Sequence, residues 1–277
     1  WNDIEQPATI IAALDRFKAP YLDTIFGTNE SGFPPVLATR FQALASLGAP
    51  SSILPFTMQL GRAVLDDHVS ASSAADLLHV VESFLVRRAI CGYEPTGLHA
   101  VFKRLWPDLG SDVSAANVTD AISSHKTVTW PDDEEVKRSI GSRPLYGSAI
   151  TPYLLLQYDS SLGGDGHASI ETIEHVLPQS ADTAWKQIYG DKHFENDVNA
   201  LPNLVPCTGK MNSSLGNQPY SSKKNRFAAD SKFKSTREFS HRYSEWNAGA
   251  FRVRASELSE WAMARWPHAR STAISKT

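Results

Sequence analysis

The sequence is poor in cysteine, with only Cys91 and Cys207 in 277 residues. Two thiols build neither a disulfide framework nor a four-cysteine zinc site, and such sparse use suits a reducing cytoplasm. Long apolar runs are missing too. The longest uncharged stretch lies between Arg40 and Arg62, and Gly48, Pro50, Ser51, Ser52 and Pro55 interrupt it, which rules out a membrane helix there. The chain opens Trp1-Asn2-Asp3, with no basic start, no apolar signal core and no initiator Met. It therefore reads as a piece of a longer protein, without an export signal. No repeat of fixed period and no low-complexity tract is visible. The segment Gly163-Gly164-Asp165-Gly166 lacks the Lys-Ser/Thr of a phosphate loop and reads as a flexible turn.

What is present argues for a folded chain. Hydrophobic residues make up 42% and charged residues 21%, which allows a sizeable core, in one large domain or two ordinary ones. The net charge of −3 conceals an asymmetry: residues 1–202 hold 14 Lys/Arg against 25 Asp/Glu, and residues 203–277 hold 13 against 5. A basic end on an acidic body fits contact with a polyanion, and equally a solvated basic surface.

The first half reads as helical. Ile10, Leu14, Phe17, Tyr21 and Ile25 form one apolar stripe, and Leu77, Val81, Phe84 and Leu85 another. The second helix has a start signal in Ser73-x-x-Asp76 and a stop at Gly92. Shorter helices are predicted around 36–47, 54–65, 97–106, 113–123 and 133–140. Asp132 to Glu135 place acidic charge at the N-terminus of the last of these. Asp66-Asp67-His68 resembles a metal cluster in composition, yet reads better as an exposed helix end. A second region begins near residue 145. Ala149 to Tyr158 predicts a buried helix. Ile170 to Val176 alternates like a short strand ending at Leu177-Pro178, and Leu201 to Val205 like another. Residues 177–202 look irregular, with helical character near Trp185 to Ile188. Short helices follow at 207–215 and 222–228, and a last one at 255–265. Trp246, Trp261 and Trp266 read as core residues.

The chemistry concentrates in Glu174-His175-Val176-Leu177-Pro178, then Asn203-Leu204-Val205, then Asn212. An acidic residue beside His, an aliphatic and a Pro, followed by Asn-Leu and by a third polar residue nine positions after that Asn, resembles the HNH nucleases of the ββα-metal class. The third position is usually His; here it is Asn212, a His-Asn-Asn variant. Further residues, among them Gln179, Trp185, Leu215-Gly216-Asn217-Gln218-Pro219-Tyr220, Lys223-Lys224, Val253-Arg254, Leu258 and Trp266, resemble one branch: the C-terminal nuclease domain of GmrSD-type modification-dependent restriction enzymes. Relatives of that branch include the SspE proteins of phosphorothioate-sensing phage defence. The likeness covers roughly residues 145–267.

The resemblance implies a mainly α chain with a small ββα-metal (HNH) nuclease core: residues 1–144 as an α-helical scaffold or coupling region and 145–277 as the nuclease domain. It implies a metal-dependent DNA endonuclease that nicks one strand, acting in a cytoplasmic bacterial restriction or phage-defence system. Its partners would be DNA, an N-terminal nucleotide-hydrolysing domain absent from this chain and other defence-system proteins, with no membrane. Alone, His175 would read as an ordinary half-buried histidine. Within the motif it is the general base, since its unperturbed pKa of about 6.5 lets it take a proton from water near neutrality. Glu174 and the Asn212 amide oxygen are hard donors suited to Mg2+ or Mn2+, with Asn212 alternatively a helix cap. Asn203 is implied to hold the loop that sets the pose of His175. Catalytic roles thus fall to His175, Asn203 and Asn212. Lys223, Lys224 and Arg226 are candidate phosphate contacts, with Lys232 and Lys234 extending the same surface. Adjacent strand residues face opposite ways, so Glu174 and His175 converge on one metal only if the strand ends there. The alternative reading is a DNA-binding or partner-docking helical module whose nuclease centre has decayed.

Overall fold

The computed structural model describes residues 7–166 and 169–268. They fall into two compact units: one runs to Pro131 and resumes at Trp266, the other is Asp132–Arg265. The division expected between residues 144 and 145 thus lies earlier. The helix that follows Pro131 buries Val136 and Ile140 within the second unit.

The first unit is helical: α1 Pro7–Phe26, α2 Pro35–Leu47, α3 Leu54–Leu65, α4 Ala71–Cys91, α5 Leu98–Leu109 and α6 Ala115–Ser123. Its core gathers Leu37, Phe41 and Leu44 of α2, Phe56 and Leu60 of α3, Leu77, Leu78, Val81 and Phe84 of α4, and Val101 and Phe102 of α5. The cap of α4 is Ser70, whose side chain accepts from Ser73 N, and not Ser73 itself. Gly92 ends the helix in the left-handed conformation, as its position predicts. The stripe on α1 is only half used. Phe17 and Ile25 are partly covered, whereas Leu14 and Tyr21 lie on the surface. Where α1 does pack, it needs Gly61: a Cβ there would lie 2.8 Å from Pro20.

The second unit holds α7 Asp133–Ser142, α8 Ile150–Ser161, β1 Thr172–His175, α9 Thr183–Tyr189, α10 Asp191–Asp197, β2 Leu204–Cys207, α11 Gly209–Leu215, α12 Tyr220–Asp230, α13 Lys234–Arg242 and α14 Ala248–Arg265. Asp132 caps α7 by accepting from Glu135 N. The two strands pair antiparallel, with Thr172 opposite Cys207 and His175 opposite Leu204, and α11 follows directly. The core beneath them is aromatic, joining Trp185, Tyr220, Phe227, Phe239, Tyr243, Trp246 and Phe251. Trp246 and Trp266 are fully buried core residues. No helix among the described residues is long and apolar enough to cross a membrane.

Candidate active site around His175

β1 is four residues long, and its pleat sends Thr172 and Glu174 to one face and Ile173 and His175 to the other. His175 is its last residue, so its side chain stands at the mouth of the loop beginning at Val176. The imidazole is mostly enclosed, with the residue 8% exposed. Its Nε2 lies 3.0 Å from Asn199 Oδ1, and the Tyr146 ring packs against it at 4.2 Å between centroids. Gln179 Nε2 donates to the same Asn199 oxygen at 3.2 Å. An amide oxygen only accepts, so Nε2 carries the ring proton and Nδ1 keeps the lone pair. Burial holds the His175 pKa below its ordinary value. The Asn199 bond opposes this, and the positive charge of Lys223 adds to it. The ring is therefore neutral at neutral pH.

Asn203 is fully buried and uses its whole amide. Its Oδ1 accepts from Leu177 N at 2.7 Å and from Trp246 Nε1 at 3.0 Å. Its Nδ2 donates to Leu177 O at 2.9 Å and to Val198 O at 2.8 Å. The side chain thus ties the segment after His175 to the residue before Asn199. Arg254, also buried, donates to Pro202 O and Leu204 O on either side of Asn203, with its guanidinium 4.4 Å over the Phe239 ring. Asn199 is fixed through its backbone as well: its carbonyl accepts from Leu145 N and Tyr146 N at 2.8 and 3.0 Å.

Glu174 lies on the opposite face and meets Lys223. The Lys223 Nζ is 2.7 Å from Glu174 Oε1 and donates to His175 O at 2.8 Å. Burial pushes the Glu174 carboxyl up against the pull of the ammonium, and pushes the Lys223 amine down against the pull of the carboxylate. Cys207, across the sheet, is raised to about 12 by burial first and then by the charge of Glu174.

The expected DNA contacts are corrected in part. Lys223 has no exposed surface, so it cannot reach a phosphate; the helical period of α12 turns it inward with Phe227 one turn on. Lys224 is half-buried. Arg226 pairs with Asp230, Lys232 with Glu171 at 3.3 Å and Lys234 with Glu238 at 3.0 Å.

Of the residues expected to hold Mg2+ or Mn2+, Glu174 is already paired: its carboxylate carries a cation, the Lys223 ammonium. Asn212, on α11, donates from Nδ2 to Thr172 Oγ1 at 2.8 Å. That places it on the Glu174 face of β1, about 7 Å along the strand from Glu174 and about 10 Å from His175. Among the described residues no three His, Cys, Asp or Glu side chains gather as a metal cluster. Of the residues singled out in the sequence, His175 and Asn203 stand together at the end of β1, while Glu174, expected as a metal ligand, meets Lys223 on the opposite face. Sequence spacing missed Asn199 and Tyr146, which carry no motif and reach the imidazole only through the turn near Leu145. It also missed the supporting Trp246 and Arg254.

Residues 130–261 match the family model described as GmrSD restriction endonucleases, C-terminal domain. No curated protein and no solved structure matches the chain.

Proposed function

We propose that the second unit, whose residues lie largely within the match to the GmrSD restriction endonuclease C-terminal domain over 130–261, is a DNA endonuclease that nicks one strand, with His175 as general base. The observation that carries the reading is the imidazole at the end of β1, held through Nε2 by Asn199 and kept neutral by burial. Two antiparallel strands followed at once by α11 supply the order expected of an HNH core. Nδ1 of His175 takes a proton from the attacking water, a contribution of about 10²–10⁴-fold. Asn203 holds the loop after His175 and the residue before Asn199, and so acts as a positioning residue. Mg2+ or Mn2+ remains the expected cofactor by resemblance. Asn212 offers an amide oxygen for it, and Glu174 does not while Lys223 holds it.

The experiment is conversion of supercoiled plasmid to open circles by the whole chain in Mg2+ or Mn2+, with and without EDTA. We expect His175→Ala to abolish nicking while leaving DNA affinity nearly unchanged. Nicking at wild-type rate by that variant would remove His175 from the mechanism. Plasmid binding with no cleavage by the wild type, in either metal, would favour the decayed DNA-binding module.

A further inference from the structure

We propose that Lys223 is the site's resident cation. Its ammonium, fixed between the Glu174 carboxylate and the His175 carbonyl, is a positioning group that sets the backbone from which the imidazole projects. Glu174 anchors this ammonium and coordinates no metal. The inference rests on the nuclease reading only for the part that His175 plays.

The strand register explains why such a group is needed. Val176 N donates to Asn203 O at 3.0 Å, so residues 176 and 203 form a hydrogen-bonded pair. Pairs alternate along an antiparallel ladder, and His175 opposite Leu204 is therefore the non-bonded kind. Its carbonyl points away from β2. Among the described residues the sheet has two strands, and no third strand there supplies a donor. Lys223 supplies it, reaching in from α12 with no exposed surface. The same nitrogen binds the carboxylate of the residue before, and one cation thereby fixes both the side chain of 174 and the main chain of 175.

A buried ammonium needs a counter-charge, and Glu174, 4% exposed, is the carboxylate that meets it. A divalent ion placed on that carboxylate would lie beside the ammonium and repel it. Asn212, the other expected ligand, donates through Nδ2 to Thr172 and makes no hydrogen bond with Lys223. The acidic residue of the Glu-His pair is thus accounted for without a metal. The role of Lys223 is likewise internal, because an unexposed side chain touches no DNA.

The test compares the whole chain with Glu174→Gln, Lys223→Met and the double variant by Mn2+ titration, thermal melting and nicking kinetics. Each single change leaves one buried charge unpaired, so Tm should fall by about 5 °C or more. The double change removes both charges and should recover most of that loss. Mn2+ affinity should be alike in all four proteins. In the double variant kcat should stay low with KM for plasmid unchanged, because the His175 carbonyl has lost its donor. A loss of Mn2+ affinity of about 10-fold or more in Glu174→Gln, or a comparable gain in Lys223→Met, would make Glu174 a ligand and overturn the proposal. Additive Tm losses would overturn it as well, by showing no coupling between the two side chains. The titration and melting arms decide the ion pair even if no variant nicks, which separates this failure from failure of the nuclease reading.

Discussion

A histidine serves as a base only if one ring nitrogen is free and the ring is neutral at working pH. Asn199 provides the first condition by engaging Nε2, and burial provides the second by lowering the pKa from 6.5. The sign follows directly. If His175 is the base, its active form is unprotonated, and a depressed pKa keeps that form populated to lower pH. The acid limb of kcat should therefore fall below pH 6.5, lost only as pH drops through the depressed value. Asn199→Asp would set a carboxylate against Nε2, favour the imidazolium and move that limb to higher pH. Asn199→Ala should lower kcat by about 10-fold or more through loss of ring orientation, with KM little changed. A pH–rate profile of the three proteins checks this, and coincident acid limbs would show that Asn199 does not act on His175. The asymmetry between Asn203 and Asn199 shows what a sequence discloses. Asn203 opens an Asn-Leu pair nine positions before Asn212 and could be singled out in the sequence. Asn199 sits in Val198-Asn199-Ala200, a stretch with no periodicity, and its role depends on a bridge between Pro144 and Ala200 that closes only in three dimensions.

At the scale of elements, the helices with apolar periodicity and capping signals were legible, several nearly to the residue. Helix α13 was not. Lys234–Arg242 carries one large apolar residue, Phe239, and otherwise buries Ser235, Thr236 and Ser240. Asp159 accepts from both Ser235 N and Ser235 Oγ. A helix seated by polar contacts leaves no hydrophobic stripe to read. Helix α12 makes the converse point, because the adjacent Lys223 and Lys224 look equivalent in sequence and have different fates. Lys223 is structural, whereas Lys224 is half-buried and Arg226, Lys232 and Lys234 already face carboxylates. If α12 lies along DNA, Lys224→Ala should weaken binding to all sequences alike and lower the slope of log K against log salt by about 0.9. Arg226→Ala should lower it by less, since Asp230 already offsets that charge. Titrations at several salt concentrations check this, and an unchanged slope in Lys224→Ala would take α12 off the DNA.

The whole molecule shows a division that composition did not reveal. The acidic-to-basic shift near residue 202 falls inside the second unit, whereas the packing boundary falls at 131 and again at 265. Charge follows the surface, and boundaries follow where the core closes. Pro131 is the last residue of the first unit before the chain leaves it, and Trp266 is the first on its return. One side chain of α4 holds both: Arg87 Nε donates to Pro131 O at 2.9 Å, and Nη1 to Trp266 O at 2.8 Å. Glu82 accepts from Trp266 Nε1 at 2.7 Å, and Ser83 Oγ donates to Pro267 O at 2.6 Å. Arg87 is 1% exposed, so removing it strands two buried carbonyls that water does not readily reach. Arg87→Ala should therefore destabilise the first unit by about 2–4 kcal/mol. Lys in its place should recover only part, because an ammonium is a point donor without the guanidinium's planar fork. Urea unfolding of the whole chain should show an earlier transition for the first unit, and hydrogen exchange at Trp266 and His268 should speed up with it. Unchanged protection at both amides would mean that the chain's return is held by the Glu82 and Ser83 contacts without Arg87.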